Sequence, residues 1–406
     1  MYDLAIIGGG AAGITAAVYT KMLNKNLSVV VCERLDRILK KLITTGNGQC
    51  NITNKNIDIS RYHGSDVHFA ESVFNRFSNE ETIDFFDKIG VSICFDEVGR
   101  AYPTSFQASS VVDSLRFAAE EYGVEIKCNC TVNDILPGKF FTLETSNGPI
   151  SAKEIIVTGG LLSGGEKLGC DGKILTIIKS KGIKTVNTRP SIVQIKTKGD
   201  ITRSLKGIKV NAAATLISDG KPIKTEKGEI LFTDYGLSGP PILQLSCRLG
   251  IIDDTSISIN LLPDSDFNEV LSVLKKRRQN LQLRTAENFL TGFVNKRVGQ
   301  VIVKNSGISL LTGVKDITDR QLKTVASMLR DMRFTVTGTN GFNNSQVTSG
   351  GISTDEITEN LESKKYKGMY FAGEVIDIDG DCGGFILQWA WSTAFITAKS
   401  VCEDLQ

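Results

Sequence analysis

The chain opens Met1-Tyr-Asp-Leu-Ala-Ile-Ile-Gly8-Gly9-Gly10-Ala11-Ala12-Gly13, and this segment constrains the fold more than any other. Tyr2 to Ile7 is a short, nearly continuous apolar run, the pattern of a strand buried on both faces of a parallel sheet. Gly8, Gly10 and Gly13 stand at G-x-G-x-x-G spacing, and Ile14 to Leu23 reads as a helix. In such a strand–turn–helix unit the glycines serve a tight turn, close approach of backbone to a pyrophosphate, and close helix–strand packing. The helix N-terminus offers free N–H groups and a favourable dipole to phosphates. Leu27 to Cys32 reads as a second strand and runs into Glu33, about twenty residues after Gly13. A carboxylate there accepts the hydroxyl hydrogens of an adenosine ribose and repels a 2′-phosphate. The segment predicts an FAD or NAD site in preference to NADP. Its place at the head of a long chain leans to FAD.

At 406 residues the chain is long enough for two or three domains. A hydrophobic content of 41% and a charged content of 23% describe an ordinary globular protein. The net charge of +2 argues against nucleic acid as a partner. The basic run Lys275-Lys276-Arg277-Arg278 follows the apolar pattern Val270, Leu271, Val273, Leu274, and reads as the solvated end of a helix. No leader-like apolar stretch opens the chain and no run of about 18 apolar residues occurs, so neither a signal peptide nor a membrane span is expected. The nine cysteines are scattered without a C-x-x-C pair, which suits reduced thiols in a cytoplasmic protein and no metal site.

Beyond the first unit lies a polar, glycine-rich stretch, Ile43 to Asn54, that reads as a loop lying close to a ligand. Phe69 to Gly90 and Ser109 to Tyr122 carry helical patterning; Val124 to Val132, Phe140 to Thr145 and Glu154 to Val157 read as strands, the last ending in Thr158-Gly159-Gly160. From about Pro190 short alternating segments predict a β-rich region over 190–262. Helical patterning follows over 263–330, within Phe267 to Val298 and Thr318 to Leu329. Glycines then return. Gly368 to Glu374 is again strand-then-glycine, and Gly383-Gly384 opens a final helix from Phe385 to Glu403. A helix N-terminus behind a glycine pair can stabilise negative charge on the pyrimidine end of a flavin. With signals at both ends of the chain, FAD is favoured over NAD.

Four segments carry a resemblance: Met1 to Gly13, Thr45-Gly-Asn-Gly-Gln-Cys-Asn51, Phe232-Thr-Asp-Tyr-Gly-Leu-Ser-Gly-Pro240, and Phe371-Ala-Gly-Glu374 through Trp391. Together they resemble the bacterial flavoprotein family of bile-acid-inducible BaiN-type reductases and aminoacetone oxidases, over essentially the whole chain. The resemblance implies an α/β fold: a Rossmann-like, glutathione-reductase-type FAD domain formed by residues 1–189 and 348–406, with an inserted α+β domain at 190–347. It implies that Gly8, Gly10, Ala11, Ala12, Gly13 and Glu33 hold the ADP half. Arg34, Lys41, Gly46, Asn47, Gly48, Gln49, Cys50 and Asn51 would follow the pyrophosphate, ribityl chain and ring. Val132 would offer backbone to the adenine, and Thr158, Gly159 and Gly160 would close over the nucleotide. Gly373, Glu374, Asp381, Gly384, Phe385 and Ile386 would meet the ribityl chain and ring.

For an activity, the resemblance implies an FAD-dependent reductase of a C=C bond conjugated to a ketone, such as a 3-oxo-Δ4 steroid or bile acid, with NAD(P)H as a possible donor. The alternatives are an amine oxidase of the aminoacetone type using O2, and a flavin-binding redox sensor without a small substrate. No second G-x-G-x-x-G occurs, so NAD(P)H has no Rossmann domain of its own. Tyr235 and Tyr102, both on glycine- and proline-rich turns, are the candidate proton donors. His63 and His68 read as surface residues, Cys50 and Cys382 as small neighbours of a flat ring, and Asp377 and Asp379 as turn caps. Trp389 and Trp391 cannot share a helix face, so one is expected in the core and the other toward the insert. Oligomeric state is left open.

Overall fold

A computed structural model describes residues 1–250 and 254–406. The chain forms two compact units: Met1–Ser191 with Phe342–Gln406, and Ile192–Gly341. In the first, the opening run becomes the strand Tyr2–Ile7, whose Leu4, Ala5 and Ile6 are fully buried. It pairs in parallel with Val29–Cys32 on one side and Ile150–Val157 on the other. Glu125–Lys127 extends the sheet beyond Val29–Cys32, also in parallel. Met369–Phe371, from the far end of the chain, pairs in parallel with Ile155–Val157. The hairpin Val132–Leu136 and Phe141–Thr145 runs antiparallel along Ile150–Ala152, giving the β excursion its place on the sheet edge. Strand order reverses beside Tyr2–Ile7. That is where open α/β sheets leave a crevice outside the strands' C-terminal ends.

Two helices pack against each other beneath this sheet, Ala11–Leu23 and Phe385–Asp404. Ala12, Ala16 and Ala17 on the first and Ala394 and Ala398 on the last are buried, and small side chains let backbones approach. The last helix is buried on nearly every face, so its hydroxyls bond within it: Thr393 Oγ1 to Trp389 O at 2.7 Å, Thr397 Oγ1 to Thr393 O at 3.0 Å. The helical patterning over Phe69 to Gly90 resolves into two helices, His68–Arg76 and Asn79–Lys88. They part at Ser78, whose hydroxyl caps Glu81 N–H while Glu81 returns a bond to Ser78 N–H. This S-x-x-E capping box starts a new helix wherever it is satisfied.

The second unit is a closed six-stranded barrel. Its order is Ile195–Thr197, Gly236–Ser238, Lys221–Phe232, Lys209–Ser218, Thr255–Asn260 and Met332–Thr339, which returns to Ile195–Thr197. Alternation shows plainly in Met332–Thr339, where Met332, Phe334 and Val336 point inward. Helices Phe267–Asn280, Lys296–Asn305 and Asp319–Arg330 complete it. Predicted helix from Phe267 to Val298 is interrupted after Asn280, and Asn295 caps a fresh start by accepting from Arg297 and Val298 N–H. The basic run divides in two. Lys275 and Lys276 are exposed. Arg277 instead donates to Phe289 O and Thr291 O, and Arg278 to Ile317 O, so these two guanidiniums stitch the helix to the following loops.

One titration stands out in the first unit's core. Glu154, 7% exposed, has an Oε2 without a hydrogen-bond partner. Burial, reinforced by Asp404 and Glu362, pushes its carboxyl up to about 8 from 4.5. The folded chain thus holds a proton that the unfolded chain releases, so stability falls as pH rises from about 4.5 and the loss is complete above about 8. Glu154→Gln should remove this slope, so urea unfolding of the variant should vary less between pH 5 and 8 than that of the parent. Equal slopes would place the proton elsewhere.

Candidate dinucleotide site

The glycine turn is shaped from both sides. A Cβ at Gly13 would overlap Gly8 O and come within 2.6 Å of Thr158 Oγ1. Gly8 has φ +107°, and a Cβ there would sit 3.1 Å from Gly159 Cα. Thr158 Oγ1 donates to Ile7 O and Gly8 O, both at 2.9 Å. Thr158 and Gly159 therefore lie against the turn. Gly10 differs: a Cβ on it would meet nothing within 4 Å. It precedes the helix Ala11–Leu23, whose first bond is Ile14 N–H to Gly10 O. The N–H groups ahead of that bond are those a phosphate takes at a helix start. Open space over such a terminus, bounded by a turn in which only glycine fits, suits a pyrophosphate.

Glu33 follows the second strand and is 8% exposed. Its Oε2 accepts from Gly9 N–H and its Oε1 from Leu35 N–H, each at 2.8 Å. Each oxygen keeps capacity for a ribose hydroxyl. Alongside run Lys127 to Cys130: Glu33 N–H bonds Lys127 O and Cys130 N–H bonds Glu33 O. Val132 lies further on, paired with Thr145 in the antiparallel hairpin. Arg34 is drawn to Asp171 at 2.5 Å, an engagement that local sequence does not show. Lys41 Nζ meets Glu374 Oε2 at 2.9 Å, while Glu374 Oε1 accepts from Thr348 N–H. Residue 374 is thereby tied to the N-terminal segment. Gly373 makes the same join sterically, since a Cβ there would lie 2.9 Å from Ala12 Cβ. Gly160 sits beside Cys170 and Glu374.

The loop of residues 42–51 is a run of short turns rather than open coil. Gly46, Asn47, Gly48 and Cys50 all take positive φ. Gln49 N–H closes on Gly46 O. Asn51 spans the loop and the last helix, its amide donating to Thr53 O and Ala101 O and accepting from Gly384 N–H at 3.1 Å. Gly384 precedes Phe385–Asp404 with φ +98°, and a Cβ on it would collide with Thr53 O. Phe385 is buried, with Tyr62 Oη donating to its carbonyl, and Ile386 is half-buried. Below them, Gln388 accepts from Thr53 Oγ1 and donates to Thr82 and Ser392. Trp391 corrects the expectation that one tryptophan faces the insert: it is fully buried, donates to Ile52 O at 2.9 Å and packs edge-on to Phe86. Gln388 and Trp391 are the clamp that local pattern did not reveal.

Cys50 is fully buried, and burial pushes its thiol up to about 12. A neutral thiol is a poor nucleophile. Burial raises the Cys382 thiol as well, but that residue is accessible at the surface, so in the native protein a disulfide reagent should label Cys382 ahead of Cys50, and Cys50 only after denaturation, as read by peptide mass mapping. Rapid native labelling of Cys50 would contradict this burial.

Tyr102 joins this region. Its ring approaches Gly46, and burial raises its phenol above the ordinary value. Tyr235 sits in the second unit, on the tight turn between Lys221–Phe232 and Gly236–Ser238, where its carbonyl accepts from Thr197 N–H. The two tyrosines thus belong to different units. His68 is exposed, as expected. His63 is not a free surface residue: its Nε2 lies 2.8 Å from Asp381 Oδ1. Asp381 is 1% exposed and also pairs with Arg61 at 3.2 Å, so its carboxylate is turned to these two side chains.

A family model described as the HI0933-like protein Rossmann domain matches residues 2–400. The 3-dehydro-bile acid delta(4,6)-reductase of Clostridium scindens is 31% identical, over 99% of this chain and 100% of its own. Ribosomal RNA dihydrouridine synthases of Haemophilus influenzae and Escherichia coli are 29% and 28% identical, each over 98% of both chains. Among solved structures, 3-ketosteroid delta1-dehydrogenase from Sterolibacterium denitrificans superposes with a TM-score of 0.54 at 10% identity, over 99% of each chain. A 3-ketosteroid-delta4-(5alpha)-dehydrogenase from Rhodococcus jostii RHA1 does so at 0.51 and 13%, over 99% of this chain and 96% of its own. These two share the fold. The chain belongs to the HI0933-like family, alongside the BaiN-type reductases, with a Rossmann-type FAD domain built from both chain ends around an inserted domain.

Proposed function

We propose that this chain is an FAD-dependent oxidoreductase that adds hydride and proton across a C=C bond conjugated to a carbonyl, with a 3-oxo-Δ4 steroid or bile acid as the first candidate. The observation that carries the reading is the joining of the two chain ends, Lys41 to Glu374 and Gly373 to Ala12. It sets the Gly8–Gly13 turn and the final helix in one unit with a strand-order reversal. Full-length similarity to a bile-acid reductase supports this choice of substrate class. In this reading Gly8 to Gly13, Glu33, Thr158, Gly159 and Gly160 hold the ADP half. Lys41, Gly46 to Asn51, Gly373, Glu374, Gly384, Phe385 and Ile386 hold the flavin half, and Tyr102 or Tyr235 meets the substrate. Bound FAD would supply the electron pair. The protein orients, excludes water and provides the proton.

A second reading is favoured by the two ribosomal RNA dihydrouridine synthases among the relatives. Uridine also presents a C=C bond conjugated to a carbonyl, so the chemistry is shared and only the carrier differs. The net charge near zero, which argued against nucleic acid, averages two unlike units: lysine and arginine exceed aspartate and glutamate in residues 192–341, and the reverse holds elsewhere. A basic inserted unit is compatible with RNA.

The test is an anaerobic donor screen on the purified flavoprotein. NADH or NADPH should bleach the bound flavin, with colour returning on addition of a steroid enone or of unmodified ribosomal RNA, whichever is the substrate. Bleaching by aminoacetone with peroxide release on aeration would replace the proposal by an amine oxidase. No bleaching by any donor would favour a sensor.

A further inference from the structure

Asp377, Asp379 and Asp381 alternate along the chain, so the strand Ile378–Gly380 and its flanks carry three carboxylates on one face. All are buried, at 3%, 3% and 1% exposure. The strand pairs antiparallel with Tyr62–Gly64, which sets His63 directly opposite Asp379. Two of the acids are fully engaged. Asp377 accepts from Ser65 N–H and Oγ at 3.1 and 2.6 Å, and Asp381 meets His63 Nε2 and Arg61. Asp379 is the exception: both its oxygens are buried and neither takes part in a hydrogen bond of normal geometry. A buried carboxyl without donors keeps its proton more readily than a solvated one. The groups acting on it are His63 from the paired strand, Arg189 and Ser191 from Thr185–Ser191, and Ser349 from Val347–Ile352, with Asp377 and Asp381 two residues away on its own strand and Arg61 one step removed at Asp381. Burial dominates and pushes the Asp379 carboxyl up to about 6, against the pull of His63, Arg189 and two hydroxyls. The ribbon leads through Cys382 into the Gly383-Gly384 turn that opens the final helix.

Resting on the reduction proposed above, we propose that Asp379 stores the proton of that reaction and that His63, the partly exposed member of the cluster, passes it to the substrate carbon beside the carbonyl. Bound reduced flavin would supply the hydride, with its electron pair, to the other carbon of the double bond. The π pair of the double bond forms the new C–H bond with the His63 proton. The imidazole left neutral turns from Asp381 to Asp379, its neighbour across the strand pair, and takes the proton of that carboxyl, which is recharged from water through His63 between turnovers. His63 acts on substrate. Asp379 acts through it.

The test uses the flavin-loaded protein and its Asp379→Asn, Asp379→Glu and His63→Gln variants, checked for equal flavin content. Beside the band that Glu154 keeps to about pH 8, infrared spectra of the parent should show a second protonated-carboxyl stretch that fades as pH rises through about 6 and is missing in Asp379→Asn. Reoxidation of the reduced protein by a conjugated ketone should slow by ~100-fold or more in Asp379→Asn and His63→Gln. The parent rate should fall as pH climbs through about 6, Asp379→Asn should lose that limb, and Asp379→Glu should regain it. Absence of the band in the parent, or an Asp379→Asn protein with the parent's rate and pH profile, overturns the proposal. A parent that shows the band yet is not reoxidised by any conjugated carbonyl overturns the proposed reduction instead, and the band then still supports a stored proton at Asp379.

Discussion

Gly13→Ala should destabilise the first unit, whereas Gly10→Ala should leave it folded with weakened FAD binding. The two glycines belong to one motif but do different physical work. At Gly13 the new methyl would overlap Gly8 O and press on Thr158 Oγ1 at 2.6 Å, and both are fixed by the Thr158 bonds to Ile7 and Gly8. Overpacking of this kind costs about 1–3 kcal/mol or more, which for a domain of this size lowers Tm by roughly 2–4 °C per kcal/mol. At Gly10 the methyl points into open space, and the backbone there, φ −81° and ψ −168°, is one that alanine adopts. Apoprotein stability should change by less than ~0.5 kcal/mol. The space that methyl enters is where a pyrophosphate must approach the backbone, so FAD affinity should drop by about tenfold or more, as one lost contact of ~1.4 kcal/mol requires. Calorimetry of apoproteins with fluorescence titration of FAD separates the two outcomes. Equal melting for the two variants, or normal FAD binding by Gly10→Ala, would contradict the assignment.

The second large effect is expected at Glu374. Its carboxylate holds Lys41 at 2.9 Å and Thr348 N–H at 2.8 Å, and so joins segments far apart in the chain. Removing one partner of a buried ion pair costs about 3–5 kcal/mol. Here the side chains keep 29% and 14% exposure, so solvent screening reduces the expected loss for Glu374→Ala to about 1–3 kcal/mol. Lys41→Met combined with Glu374→Gln should be less damaging than the sum of the single changes, because neither charge is then left alone. A double-mutant cycle by urea unfolding, with FAD retention measured on each protein, reads both consequences. Strict additivity would mean that the pair does not join the chain ends energetically.

Much of this architecture was legible in local sequence. The opening strand, the glycine turn, Glu33 and the final helix follow from periodicity and from what each glycine permits, and the bonds of Glu33 to Gly9 and Leu35 show why an acid ends the second strand. The break at Ser78 was written as a capping box, but helical periodicity on both sides concealed it. What local sequence did not disclose was pairing across distance. Arg34 to Asp171, Trp391 to Ile52 and His63 to Asp381 join positions hundreds of residues apart in most cases, the last 318. His63 therefore reads as a surface residue until its strand finds a partner. The basic run at residues 275–278 misled for a related reason, since guanidiniums that reach backbone carbonyls are indistinguishable in sequence from solvated ones. Whole-chain net charge averages an acidic unit with a basic one, so it does not decide for or against nucleic acid.

We propose that the two chain ends hold a flavin that reduces a C=C bond conjugated to a carbonyl. The most direct test is a single anaerobic turnover of the reduced flavoprotein, mixed separately with a 3-oxo-Δ4 steroid and with unmodified ribosomal RNA. Flavin absorbance should return with one of them, and one equivalent of saturated ketone or of dihydrouridine should form per flavin. A flavin that stays reduced with both, yet recovers its colour at once when O2 is admitted and an amine is consumed in turnover, would contradict it.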